Sequence, residues 1–421
     1  MAEVAPINAV RYDPTAVPSL GDVVAPPYDV IDPALRRELV GRSPFNVVEI
    51  DLPEAPAGED PYDRAAETID GWMLQGVLTD EREPTLWALA QDYTGPDGKR
   101  RTRKGIVLRS RVTGYGPGLV RPHERTQPGP KEDRLRLTRA TKLNLSPIFS
   151  LSDADAWRHV AGYTRGEPWA EVTDADGTVN RVWRIDEPSA HAAVASALAD
   201  SELLIADGHH RYETARSYAE EIGGDGPHRW TLNCVVSLSD PGLTVFGYHR
   251  LLSELTDERR QLAVRDVLFE FFDIEQVDEA DLDPAGQDGV GVFGYIDSHF
   301  RQGYRLRLKD PDLLAGVIPE RSEPYRRLDA AILEEVVFKR GLGMTDEDIA
   351  AKRGLGYAKG TTETLAQLSS VPGEGYDAAF LLRPTPVEAV RAVAREGETM
   401  PPKSTYFFPK LLTGIVFNPV G

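Results

Sequence analysis

The chain has 421 residues, 41% hydrophobic and 27% charged, which is enough to bury a core in two or three folded units. Asp and Glu total 67 against 48 Lys and Arg, and the resulting net charge of −19 excludes a protein that coats nucleic acid or an anionic membrane by bulk charge. A single cysteine, Cys234, excludes an internal disulfide and a thiolate-rich metal site; with no basic-then-apolar start and no run of 18 apolar residues, a cytoplasmic protein without a membrane partner is expected.

Segments of both secondary-structure types alternate with no fixed repeat, so the expected class is mixed α+β. Residues 32–40 and 61–77 read as helices, the second opened by Asp60-Pro61 and presenting Ala65, Ile69, Trp72 and Met73 on one face. Residues 85–93 and 101–112 read as the strands of a hairpin around Gly95-Pro96-Asp97-Gly98. A polar, proline-rich passage from 114 to 146 follows. Then come a helix at 191–199, a short apolar run at 203–206 and a helix at 209–222 with Tyr212, Ala215, Ala219 and Ile222 on its apolar face. Residues 230–238 and 244–252 suggest a second hairpin around Asp240-Pro241-Gly242, and 257–272 a helix. The acidic stretch 273–291 suggests a boundary near residue 275, dividing the chain into 1–275 and 276–421. Beyond it lie an alternating strand at 304–308, a helix at 325–340, a strand at 377–382, a helix at 387–395 and a closing strand at 414–417.

Chemistry concentrates in three places. In Leu203 to Thr214 an apolar strand runs into Asp207-Gly208 and then into a helix start bearing His209, His210 and Arg211. The positive end of a helix attracts phosphate, glycine permits close approach, and Arg211 with one histidine adds donors; Asp207 would either hold Mg²⁺ carried in with a nucleotide or simply cap the helix. The two histidines diverge by about 100° on a helix, so one faces a ligand while the other supports it. A second cluster, Arg121-Pro122-His123-Glu124-Arg125-Thr126 followed by Lys131, offers Glu124 or His123 as general base, or else forms a self-compensating surface loop. The third, residues 401–410, gathers Lys403 and Lys410 with Ser404 and Thr405 among aromatics. With only ten lysines in the chain, two within eight residues suggest charges kept for phosphate, although the aromatics alone would also make this a core anchor. No GxxxxGK[ST], GxGxxG, HExxH or GxSxG signature occurs.

Taken together, APPYDVI (25–31), RPHERT (121–126), PKEDR (130–134), NLSPIFSL (144–151), ADGHHRYETA (206–215), DPGL (240–243) and KSTYFFPKLL (403–412) resemble the domain of unknown function 1015 family, whose members are often labelled ParB-like. Its DGHHR segment is similar to the phosphate-binding turn of the wider ParB and sulfiredoxin superfamily, which includes free-serine kinases. The resemblance implies a ParB/sulfiredoxin-like nucleotide-binding core, elaborated by an N-terminal hairpin region and a C-terminal α/β portion. It also implies phosphate contacts from Gly208, His209, His210 and Arg211, with Asp207 near Mg²⁺ or the acceptor. On this basis the expected activity is transfer of phosphate from ATP or ADP, with Mg²⁺, to a small hydroxyl-bearing acceptor such as L-serine. Glu124, His123, Asp207 and Lys403 would be catalytic, and Lys410, Ser404 and Thr405 would bind the nucleotide. A ParB-type nucleotide switch and a phosphatase using His123 or an Asp as nucleophile are the alternatives, and DNA is an unexpected partner given the charge.

Overall fold

A computed structural model describes residues 2–95, 97–126, 128–255, 257–368 and 375–421. The chain divides into two compact units, one made of residues 1–243 and 409–421 and the other of 244–408.

The first unit is built on a mixed sheet of nine strands among the described residues: β1 (Val4–Ala5), β2 (Leu86–Thr94), β3 (Arg100–Arg111), β4 (Val120–Arg121), β5 (Ile148–Ser152), β6 (Ala170–Thr173), β7 (Val179–Ile185), β8 (Leu203–Asp207) and β9 (Trp230–Ser237). Their order is β4-β8-β5-β9-β3-β2-β7-β6, with β1 on β3. The β4–β8 and β5–β9 pairs are parallel and the others antiparallel. The expected hairpin is present as β2 and β3, paired from Trp87–Val107 to Thr94–Arg100. Ala88, Ala90, Ile106, Leu108, Ile148, Ile205 and Val235 form a buried cluster with Ala190, Val194 and Leu198 of a helix at Pro188–Leu198.

Six helices of this unit matter here: α1 (Pro33–Arg42), α2 (Val48–Asp51), α3 (Pro61–Leu74), α4 (Pro128–Thr141), α5 (Pro188–Leu198) and α6 (His209–Ile222). Side chains cap α1 and α3 as their sequences suggest: Asp32 accepts from the N–H groups of Ala34 and Leu35, and Asp60 accepts from that of Tyr62, each with proline at the first turn. Helix α4 lies inside the passage read as irregular. Its buried positions are Arg134, Leu135, Leu137 and Thr138, so no continuous apolar stripe marks it. In α6 the buried face is Tyr212, Ala215, Tyr218 and Ala219, whereas Ile222 is exposed.

The second unit carries an all-antiparallel six-stranded sheet: β10 (Tyr248–Leu252), β11 (Phe272–Val277), β12 (Val292–Asp297), β13 (Gly303–Leu308), β14 (Leu355–Lys359) and β15 (Ala378–Leu382), in the order β11-β13-β12-β15-β10-β14. Helix α7 (Glu258–Phe271) is where the sequence places it, capped by Asp257.

The division differs from the expected cut at residue 275. Residue 275 lies within β11, hydrogen-bonded along β13, and the acidic stretch runs from that strand into a 3-10 turn at Glu279–Asp281 and the loop before β12. The second expected hairpin is also absent. Residues 244–246 pair with 406–408, and β10 pairs with β14 and β15, while β9 pairs with β3 and β5. The Asp240-Pro241-Gly242 turn packs on β2 and β3 instead: Tyr93 of β2 donates its hydroxyl to the Gly242 carbonyl at 2.7 Å, and a Cβ at Gly242 would collide with the Thr102 carbonyl of β3. The helix expected at 325–340 is split into Glu323–Arg326, Asp329–Leu333 and a π-helical turn at Glu334–Gly341. The closing strand is Asn418–Pro419, paired with Leu143–Asn144, and Phe417 forms a single bridge to Val10.

Candidate functional site

Strand β8 ends at Asp207 with a register irregularity between Ile205 and Asp207, and the chain turns into α6 through Gly208. Gly208 sits at φ 92°, ψ 28°, the left-handed region where a Cβ costs about 1–2 kcal/mol. A Cβ there would also lie 3.0 Å from both Cζ and Nε of Arg211, so any other residue would be strained in its backbone and would press on that guanidinium. Among the described residues no side chain caps α6, in contrast to α1 and α3.

The turn is a charge cluster. Asp207 receives Arg211 Nη2 on Oδ2 at 2.6 Å and Lys410 Nζ on Oδ1, and all three side chains are more than four-fifths buried. Burial pushes the Asp207 carboxyl up, but the charges of Lys410 and Arg211 outweigh it and hold it well below the usual carboxylate range. Arg211 also donates through Nη1 to Ser146 Oγ at 2.8 Å and to the Pro147 carbonyl, which ties the start of α6 to the loop before β5. Ser146 Oγ in turn meets Thr413 Oγ1 at 2.9 Å.

Two buried histidines support this turn. His209 and His123 meet edge to face with centroids 4.6 Å apart, and the His123 backbone N–H donates to His209 Nε2 at 3.3 Å. His123 Nδ1 lies 2.6 Å from the Ile205 carbonyl oxygen, so Nδ1 carries the proton. Burial pushes His123 down to about 4 and His209 well below its ordinary value, leaving both rings neutral at pH 7. The loop after β4 is therefore anchored to β8 and α6 by His123, with half-buried Glu124 next along the chain. Arg121 makes a structural ion pair with Glu202 at 2.8 Å. Lys131 faces Glu213 of α6 at 3.7 Å.

The C-terminal motif divides between the units. Lys410 belongs to the first and reaches Asp207. Lys403, Ser404 and Thr405 belong to the second, where the Lys403 ammonium lies over the Tyr248 ring at 5.5 Å, its carbonyl accepts from Arg250, and Ser404 donates to the Pro401 carbonyl at 2.6 Å. The lysine that joins the turn is thus Lys410, and the expected role of Lys403 finds no support in these contacts. Each Asp207 oxygen faces a cation in this structure, Arg211 on Oδ2 and Lys410 on Oδ1.

Sequence reasoning missed two members of this site. Arg103 on β3 is 1% exposed and stacks on the Phe149 ring at 4.4 Å. Its Nε and Nη2 donate to Gln91 Oε1 on β2, and Gln91 Nε2 donates to Asn180 Oδ1 at 2.7 Å and to the Lys410 carbonyl at 3.0 Å. The alternation of Arg101, Arg103 and Lys104 around a hairpin reads as a solvated strand end, and nothing local in the sequence marks Arg103 as buried.

A model of the family described as "Protein of unknown function (DUF1015)" matches residues 4–331, which leaves the Lys403–Leu412 motif outside the matched range. No curated protein matches the chain. Similar solved structures include a free serine kinase in complex with AMP (14% identity, 68% of this chain and 83% of that one, TM-score 0.36). They also include SbnI with C-terminal truncation from Staphylococcus aureus (12% identity, 70% and 82%, TM-score 0.36) and a conserved hypothetical protein from Pyrococcus furiosus (16% identity, 68% and 86%, TM-score 0.34). Likeness of this size leaves the site to be argued from its own residues. Matched from residue 4 to residue 331, the chain belongs to the DUF1015 family.

Proposed function

We propose that the protein transfers a phosphoryl group from a nucleotide to a small hydroxyl-bearing metabolite, with L-serine the first acceptor to test. The observation that carries this reading is the convergence of Lys410 and Arg211 on Asp207 at a Gly208 turn whose helix start has no side-chain cap among the described residues. Such a turn supplies backbone N–H groups, the positive end of a helix and two cations to one spot, the chemistry that binds phosphate oxygens. Gly208, His210 and Arg211 hold phosphate in this reading, and His209 and His123, buried and neutral, position the turn.

When the acceptor oxygen attacks, its bond to phosphorus forms as the bond from phosphorus to the nucleotide's bridging oxygen breaks, and the hydroxyl proton passes to Glu124. Lys410, released from Asp207, neutralises charge on the transferred group, because phosphoryl transfer is catalysed chiefly by positioning and electrostatics. Mg²⁺ carried in with the nucleotide's phosphates would be held by Asp207, whose Oδ1 Lys410 vacates, and would neutralise phosphate charge there. The same reading carries the wider proposals of a ParB/sulfiredoxin-like core and a cytoplasmic setting. A phosphatase with His123 as nucleophile is disfavoured by that ring's burial and its hydrogen bond to Ile205.

Incubation of the full chain with ATP or ADP, Mg²⁺ and a metabolite mixture containing L-serine, read by mass spectrometry, tests the proposal. A phosphorylated metabolite that disappears in Glu124→Gln and Lys410→Met supports it. Nucleotide binding without turnover would replace it with a nucleotide-dependent switch.

A further inference from the structure

The polar row on one face of the first unit's sheet contains a charge that the cluster at Asp207 does not account for. Register places Asn180, Gln91 and Arg103 opposite one another on β7, β2 and β3, and places Val107, Cys234, Phe149 and Asp207 opposite one another on β3, β9, β5 and β8. Arg103 is four residues from Val107 on β3 and so lies on the same face. Its guanidinium extends over Phe149, two strands away and directly opposite Asp207, and is therefore turned along the sheet toward the Gly208 turn.

Two of its nitrogens are spent on the neutral Gln91 amide, and the third, Nη1, is buried and makes no hydrogen bond among the described residues. A buried guanidinium without a contacting carboxylate is costly, and a neutral amide does not cancel its charge. Burial accordingly pushes Arg103 down to about 10. The Gln91 amide, clamped by Asn180 and by the Lys410 carbonyl, fixes which edge of the guanidinium remains unused.

We propose that Arg103 Nη1 is a second anion seat of this site, and that the ligand is pyrophosphate-bearing, with one phosphoryl group at the Gly208 turn and the next on Arg103. This rests on the reading of the Gly208 turn as a phosphate site. Lys410 links the two seats: its ammonium rests on Asp207 while its carbonyl holds the amide that orients Arg103, so a ligand drawing Lys410 from Asp207 gains access toward Nη1. Three cations, Arg211, Lys410 and Arg103, then face a group carrying several negative charges.

The test is calorimetric titration of the full chain with inorganic phosphate and with pyrophosphate. The wild type binds pyrophosphate at least about tenfold more tightly than phosphate, the scale of one charge-assisted hydrogen bond. Arg103→Met keeps the apolar stem on Phe149 and weakens pyrophosphate by about ten- to a hundredfold, leaving phosphate within a few-fold. Arg211→Ala weakens both. Unchanged pyrophosphate affinity in Arg103→Met, or equal loss of both anions, overturns the second seat while leaving the Gly208 reading intact. Weakened binding in Arg103→Met together with unchanged binding in Arg211→Ala sinks the Gly208 reading instead, and no anion binding by the wild type sinks both. If Arg103→Met does not fold, a wild-type crystal grown with pyrophosphate decides the matter: an oxygen in hydrogen-bond reach of Nη1 upholds the seat, and density confined to the Gly208 turn removes it.

Discussion

Replacing Lys410 by Met isolates the ion pair at the centre of the site. At hydrogen-bond contact, about 3 Å, and an effective dielectric of about 20, the attraction between two unit charges is about 5 kcal/mol before desolvation is counted. Both partners are largely buried and Asp207 keeps Arg211, so less than half of that is expected to survive as coupling, about 2 kcal/mol. For a unit of this size that corresponds to a fall of about 4–8 °C in melting temperature. The assay is a double-mutant cycle at pH 7 with Asp207→Asn, in which Lys410→Met loses most of its effect once the Asp207→Asn change is already present. The pH dependence has a definite sign. In the wild type the Asp207 carboxyl is held well below its ordinary value of 3.8, so its contribution is full above that pH and disappears only as pH falls through the lowered folded value. Without Lys410 the folded carboxyl titrates higher, so the penalty is largest near neutrality and shrinks in acid. A Lys410→Met penalty that is the same whether or not Asp207→Asn accompanies it would refute the reasoning.

Gly208→Ala should cost about 1–2 kcal/mol from the left-handed backbone and, by pushing on Arg211, should also weaken phosphate binding in the same titrations; a variant with wild-type melting and affinity would contradict both. His123 titrates at about 4 when folded and near 6.5 when unfolded, so its contribution is full above pH 6.5 and is lost toward pH 4, about 3 kcal/mol in all. His123→Asn should flatten that part of the acid melting curve. Cys234, fully buried and pushed up to about 12, should react with a thiol reagent only at the rate at which the first unit opens, which a labelling time course in increasing denaturant measures.

The turn at Asp207 was legible because its signals are local. An apolar run, a glycine and a helix-period face of Tyr212, Ala215 and Ala219 lie within twenty residues, and α6 begins and ends where the pattern places it. Helix α4 was hidden because it buries Arg134, which donates to the Asp51 carboxylate at 3.0 Å and stacks on Tyr28, where the periodicity argument looks for an apolar residue. That Lys410 falls in the first unit and Lys403 in the second is a fact of long-range contact rather than of composition. Arg103 was invisible for the same reason: its burial comes from strands far later in the chain, at Phe149 and Cys234.

The interruption of the first unit by residues 244–408 also sets an order of events during synthesis. The second unit is a continuous segment and can close around its own sheet as soon as it emerges, whereas the first has already lost contact with the ribosome over most of its length while it still waits for residues 409–421. Its sheet can pair early, but Gln91 meets the Lys410 carbonyl across a separation of 319 positions, and Val10 meets Phe417 across nearly the whole chain. Until residues 409–421 are in place, Asp207 would have Arg211 beside it but not Lys410. Binding competence is expected to appear as a late, separate step after the bulk of the secondary structure, and to be lost first when residues 409–421 are removed.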